Sequence, residues 1–142
     1  MAENALFMKF VAFTAAVHKV THEMTKETGN LAVTPAQYKI LEYIAINQPV
    51  SLSEISDCMH MSMPNTSREL KKLEEKALCE KAATAEDRRK MDIQLSKNGQ
   101  VMMDGIFQRI EAQFNRRMES LSEDERLELE RALDLLHAKM FS

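Results

Sequence analysis

The run Ser62-Met63-Pro64-Asn65-Thr66-Ser67-Arg68 places a carboxamide, hydroxyls and a guanidinium at what reads as a helix start. These side-chain types can read base-pair edges. Asn bonds adenine through two atoms, Arg bonds guanine in the same way, and a Thr methyl meets a thymine methyl. Lys71 and Lys72 follow one turn later and suit phosphates, which fix register without reading sequence. Asn65, Thr66, Ser67, Arg68, Lys71 and Lys72 are therefore candidate DNA-contacting residues on a recognition helix. Taken alone, the stretch is equally well an ordinary polar first turn.

A second cluster lies in Thr84-Ala85-Glu86-Asp87-Arg88-Arg89-Lys90, a charged loop between two short strand-like runs. Arg88 and Arg89 at a hairpin tip can enter a narrow minor groove, where negative potential is enhanced. Asp87 repels phosphate, so its expected part is to hold a neighbouring Arg by a charge-assisted hydrogen bond. Asp87, Arg88, Arg89 and Lys90 form a candidate wing contact. A solvated charged turn is the bland alternative, weakened by the helix pair just upstream.

Other chemistry finds less support. His18 and His22 are four apart, so on a helix they share a face and are weak candidates for one metal, with Glu23 and His137 as conceivable further ligands. No third ligand is fixed by spacing, and amphipathic packing explains both histidines. Cys58 and Cys79 make neither a disulfide framework nor a metal-type pair. There is no nucleophile paired with a base, no phosphate-binding Gly loop and no closed metal-ligand set, so neither an enzyme nor a cofactor is expected.

The elements that must position these clusters are legible. Thr34-Pro35-Ala36-Gln37, Ser51-Leu52-Ser53-Glu54 and Ser122-Glu123-Asp124-Glu125 read as capping boxes, and Ser62 and Ser96 as plain N-caps. The pattern predicts helices over about Glu3–Thr28 (ending at Gly29-Asn30), Pro35–Asn47, Leu52–Met59, Met63–Lys76, Ser96–Ser120 and Glu123–Met140. Tyr38, Leu41 and Ile44 face inward in the second. Leu6, Phe10, Phe13, Val17, Val20 and Met24 stripe the first, and Leu127, Leu133, Leu136 and Met140 the last. Gly105 inside the fifth costs roughly 1 kcal/mol against Ala, which suggests a close helix contact there. Met91-Asp92-Ile93-Gln94-Leu95 alternates with period two and reads as a strand, its hairpin partner near Cys79 to Ala83.

Leu73-Glu74-Glu75-Lys76-Ala77-Leu78, then Asp87-Arg88-Arg89, then Ile93-Gln94-Leu95-Ser96-Lys97-Asn98-Gly99 resembles the MarR family of winged-helix transcriptional regulators. The resemblance runs nearly the full length. It implies a mainly α (α+β) fold: a winged helix-turn-helix with a helical dimerisation bundle, six helices and a small β-hairpin wing. It also implies a homodimer on an inverted-repeat operator, with Asn65 to Lys72 on the recognition helix and Arg89 in the minor groove. Small-molecule effectors, oxidants or metals are the triggers it suggests. The first helix lacks the Cys that oxidant-sensing relatives use. Two positions depart from the family pattern: Ala77 and His60 stand where Gly is common, and a left-handed residue is costly for Ala and better tolerated by His.

On this reading 1–32 is an N-terminal dimerisation helix, 33–98 the DNA-binding domain and 99–142 the C-terminal dimerisation helices. The net charge of −3 over 142 residues is a weak argument against nucleic acid as a partner. Yet residues 62–90 hold eight Lys/Arg against six Asp/Glu, so the positive excess is local. No run of 18 apolar residues or signal peptide is present, and a cytoplasmic protein with double-stranded DNA as partner is expected. The competing expectation is a winged-helix protein-interaction module that does not bind DNA, supported by the net charge and by Glu69, Glu74 and Glu75.

Overall fold

The computed structural model describes residues 2–26, 33–83 and 91–141. The element order is α1 (Ala2–Lys26), α2 (Pro35–Asn47), α3 (Leu52–Met59), α4 (Met63–Glu75), β1 (Cys79–Ala83), β2 (Met91–Leu95), α5 (Lys97–Met118) and α6 (Glu123–Met140). The Gly29-Asn30 stop signal lies outside the described residues. The chain forms two compact units, Thr28–Gln108 and Met1–Glu27 with Arg109–Ser142. The division falls inside α5. No described helix is long and apolar enough to cross a membrane.

In the central unit, α2, α3, α4, the strands and the first part of α5 enclose one core. Ile40, Leu41, Ile44, Ile55, Leu73, Met103 and Ile106 are fully buried, and Val50, Leu70, Cys79, Ile93 and Leu95 nearly so. Tyr38, expected inward, is only half-buried; Gln37 and Ile40 take the buried positions one turn around. β1 and β2 pair antiparallel, Cys79 opposite Leu95 and Ala83 opposite Met91. The far edge of β2 is covered by the segment before α3. Val50 and Ile93 exchange both backbone bonds, at 3.0 and 2.7 Å. The Gln48 carboxamide then continues the ladder, accepting from the Leu95 N–H at 2.9 Å and donating to Gln100 of α5 at 2.9 Å. An otherwise bare strand edge is thus satisfied by one backbone bridge and one side chain.

Helix starts follow the sequence signals. Thr34–Gln37 and Ser122–Glu125 are complete capping boxes, with Pro35 in the first turn of α2. The Ser51 box is only half made: Ser51 Oγ accepts from the Glu54 N–H, but the Glu54 carboxylate takes the Ser51 hydroxyl, not its backbone N–H. Ser96 caps α5 by accepting from the Gly99 N–H at 3.0 Å, and its hydroxyl donates to the Ala77 carbonyl.

Two helix ends use the same closure without glycine. After α3, the Met61 N–H reaches back to the Ser56 carbonyl and His60 to Asp57. After α4, Leu78 reaches Leu73 at 3.0 Å and Ala77 reaches Glu74 at 2.9 Å. This pair of bonds needs a left-handed residue at the turn, and His60 (φ 53°) and Ala77 (φ 58°) supply it. For Ala the cost is about 1–2 kcal/mol. Gly99 is constrained for a different reason: a Cβ there would stand 1.9 Å from the Leu78 carbonyl oxygen. The motif Ser96-Lys97-Asn98-Gly99 is therefore one joint, capping α5 and clasping the end of α4.

The terminal unit is different. α6 has no buried residue, and every α1 side chain that is described is exposed or half-exposed. Leu6, Phe7, Met8, Leu127, Leu133, Leu135, Met140 and Phe141 are each at least half exposed. Within this unit Phe10 and Phe141 meet at 6.3 Å between ring centres. Glu23 pairs with Arg117 at 3.0 Å. An open apolar groove of about 460 Å³ runs between α1 and α6, lined by Phe13, Val17, Leu133, Leu136 and Phe141.

Candidate nucleic-acid interface

α3 and α4 form a helix-turn-helix, joined through residues 60–62. The orientation of α4 follows from its own spacing. Thr66, Leu70 and Leu73 recur at i, i+4 and i+7 and are buried, which fixes the opposite face outward. Asn65, Ser67, Arg68, Lys71 and Lys72 are exposed on that face.

Thr66 is a correction. It is wholly buried, so its methyl cannot meet a base. Its hydroxyl donates to the Ser62 carbonyl at 2.9 Å and lies 3.0 Å from Ser56 Oγ. Ser56 Oγ also lies 2.9 Å from the Leu52 carbonyl. With its one proton turned toward Thr66, Ser56 donates to the Thr66 hydroxyl, which passes its own proton to the Ser62 carbonyl, a buried chain that locks α3 to α4 in the apolar joint. Period-3.6 reading places Thr66 in line with Leu70 and Leu73, a signal the polar character of threonine masks.

At the α4 start, Ser62 Oγ accepts from the Asn65 N–H at 3.2 Å. The Asn65 side chain does not return the bond: its Oδ1 accepts from Arg68 Nη2, and Arg68 Nε faces the Pro64 carbonyl at 3.5 Å. One turn on, Lys72 pairs with Glu69 at 3.4 Å. An exposed pair of this kind contributes at most about 1 kcal/mol, so Lys72 is readily released to another anion.

Glu69 is held from the other side. The buried Gln37 of α2 donates to Glu69 Oε2 at 3.0 Å, while Gln37 Oε1 accepts from Lys76 at 3.1 Å and from the Thr34 N–H at 3.1 Å. The Gln37 bond is the main cause holding the Glu69 carboxyl below its usual range, with Lys72 and Lys76 adding to it. This clasp joins the α2 capping box to the middle of α4 and to its C-terminal cap. It went unseen in the sequence because its partners lie 32 and 39 residues apart.

Beside α4, a groove of about 440 Å³ is lined by Leu52, Ser67, Leu70, Lys71, Glu74, Lys81 and Ile93. Lys81, on β1, is exposed and adds a cation that the sequence reading missed. Beneath it Cys79 is buried, and burial pushes its thiol up to about 12, which makes it an inert core residue. Cys58 is exposed on α3. The wing residues Asp87, Arg88, Arg89 and Lys90 lie outside the described residues. His18 and His22 are exposed on α1, and among the described residues no group of three or more His, Cys, Asp or Glu is placed to hold a metal.

The sequence model described as MarR family matches residues 33–90, the segment from the α2 cap to the end of the charged loop. The HTH-type transcriptional repressor MdtR of Bacillus subtilis is 25% identical over 118 residues, covering 83% of this chain and 76% of MdtR. Among solved structures, a MarR family protein from Bacillus stearothermophilus aligns over 100% of this chain and 99% of its own, with a TM-score of 0.84 and 19% identity. S. aureus MepR also aligns. Its ethidium bromide complex gives a TM-score of 0.67 at 20% identity, covering 92% of this chain and 94% of MepR. A MepR variant bound to an oligodeoxyribonucleotide gives 0.60 at 19%, covering 93% and 97%. Among the described residues the chain has six helices, a two-stranded antiparallel hairpin and a helix-turn-helix that lies inside the segment matched by the MarR family model, and it shares the fold of these solved MarR family structures.

Proposed function

We propose that this chain is a dimeric, sequence-specific DNA-binding transcriptional regulator of the cytoplasm, a ligand-responsive repressor acting on an inverted-repeat operator. The observation that carries the reading is the outward face of α4. Asn65, Ser67, Arg68, Lys71 and Lys72 are presented together by a helix that Leu70 and Leu73 anchor in the core. A helix-turn-helix of this kind lays its second helix in the major groove. Lys71 and Lys81 take phosphates, and Asp87, Arg88, Arg89 and Lys90 serve the adjacent minor groove. The DNA-bound MepR variant and the repressor MdtR support this reading.

Two copies are part of the proposal. Large exposed apolar faces on α1 and α6 mark an interaction surface, and a second copy of the same helices supplies a matching one. A paired arrangement sets two α4 helices about one DNA turn, roughly 34 Å, apart. A small lipophilic effector lowers DNA affinity by favouring a different spacing; the ethidium bromide complex of S. aureus MepR supports a small-molecule ligand. The rival protein-interaction reading draws on the acidic residues of α4. Glu69 is engaged by Gln37 and Lys72 and Glu74 is half-buried, which leaves Glu75 as the one exposed acidic residue of α4.

The test is retardation of duplex DNA at moderate salt by the purified protein, then by Arg68→Ala and Arg89→Ala. Arg68→Ala is expected to erode discrimination between sequences, and Arg89→Ala to weaken binding to all of them. Unchanged affinity in both variants contradicts the site assignment.

A further inference from the structure

We infer that Asn65 is a positioning residue for Arg68 and not a reader of adenine, so that the first turn of α4 reads one guanine through a pre-set guanidinium. The inference deepens, and rests on, the DNA-binding reading above. Arg68 Nη2 donates to Asn65 Oδ1 one turn back, and Nε is directed at the Pro64 carbonyl, 3.5 Å away. A guanidinium carries five N–H groups in a planar fork. The side edge of that fork, Nε with the adjacent Nη2 hydrogen, is turned toward the helix. The outer edge keeps two parallel donors, one on each Nη. That edge matches the two acceptors of guanine, O6 and N7; adenine offers one acceptor and one donor and does not match.

The same geometry removes Asn65 from base reading. An adenine contact uses both ends of the carboxamide, the oxygen accepting from N6 and the nitrogen donating to N7. Here the oxygen already holds the Arg68 cation, and a second donor on that oxygen would crowd the adenine amino group against the guanidinium. Asn65 is itself fixed, because its N–H is the one Ser62 Oγ caps at 3.2 Å. Its Cα therefore stands at a set place in the first turn. An exposed Arg ordinarily loses rotamer freedom on binding; one already bonded to Asn65 loses less.

The experiment selects binding sites from random-sequence duplexes at low salt with the full chain and with Arg68→Ala, Asn65→Ala and Asn65→Asp, and compares base preferences position by position. The expected result is that Arg68→Ala and Asn65→Ala both lose preference at the same G·C pair, by about tenfold or more for Arg68→Ala and by a smaller factor for Asn65→Ala. Asn65→Asp keeps the acceptor but not the amide donor. It is expected to retain the guanine preference even if overall affinity falls. Loss of an adenine preference at a separate position in both Asn65 variants, with the guanine preference intact, overturns the inference. Absence of any enriched sequence with the unaltered protein overturns the DNA-binding reading itself, and the inference with it.

Discussion

The two units of this chain both carry helices with apolar stripes and end in opposite states. Between residues 33 and 108 the apolar stripes of α2, α3, α4 and α5 meet one another and the hairpin, and twelve apolar side chains are buried among the described residues. In α1 and α6 stripes of the same period meet little: Phe13 and Val17 remain more than two-fifths exposed, and Leu133 more than half. Periodicity states that a face must be covered and is silent on what covers it. The central unit carries its own answer in tight joints: Gly99 under the Leu78 carbonyl, the Ser56–Thr66 hydroxyl pair and the Gln37 clasp. Among the described residues the terminal unit shows in their place the Glu23–Arg117 ion pair and the Phe10–Phe141 contact.

The largest test of that contrast is Gly99→Ala. A Cβ 1.9 Å from a backbone oxygen forces the α4–α5 joint apart, and a loss of about 3 kcal/mol or more is expected in urea unfolding. If the central unit tolerates it, the joint is not the constraint described. Next comes Leu133→Glu in the apolar groove of the terminal unit. Sedimentation is expected to shift from dimer to monomer, with little change in the circular dichroism of the helices; an unaltered dimer would place the interface elsewhere.

A third test concerns the Gln37 clasp. Glu69 has its carboxyl depressed by the Gln37 and lysine bonds. The stabilisation is therefore present above the ordinary carboxylate range and fades as pH falls through the lowered value, where the folded state must take up the proton. Glu69→Gln is expected to flatten the acid side of the stability profile and to leave its alkaline side alone. An unaltered acid limb would show that the carboxylate contributes nothing through its charge. The smallest effect is expected from Ala77→Gly. It relieves the left-handed strain while adding chain entropy to the unfolded state, for a net gain of at most about 1 kcal/mol by thermal melting.

The sequence announced much of this, and the omissions have a pattern. Capping residues and period-two alternation are local, so α2, α3 and α6 from the first and β1 and β2 from the second were legible to the residue, and Ser51–Glu54 erred only in which proton the carboxylate takes. His60 and Ala77 were visible as oddities, and the backbone shows that both complete the same closure. What was missed is non-local or disguised. Gln37 binds partners more than thirty residues away, Gln48 imitates a strand, and Lys81 became relevant only once β1 stood beside α4. Thr66 was misread because its residue type suggested the surface while its register specified the core. For the interface, residue type identified the cations of α4, and only geometry showed that Asn65 and Arg68 act on each other.

The central claim is that a self-contained reading unit is paired through the terminal helices so that two α4 helices meet DNA together. Selection of random duplexes by the intact protein at moderate salt tests this most directly. The account predicts an inverted repeat whose half-sites are centred about one helical turn apart, and loss of the paired arrangement, with single half-sites surviving only at low salt, when Leu133→Glu is used instead. Enrichment of lone half-sites by the unaltered protein, or the same inverted repeat from the monomeric variant, would contradict it.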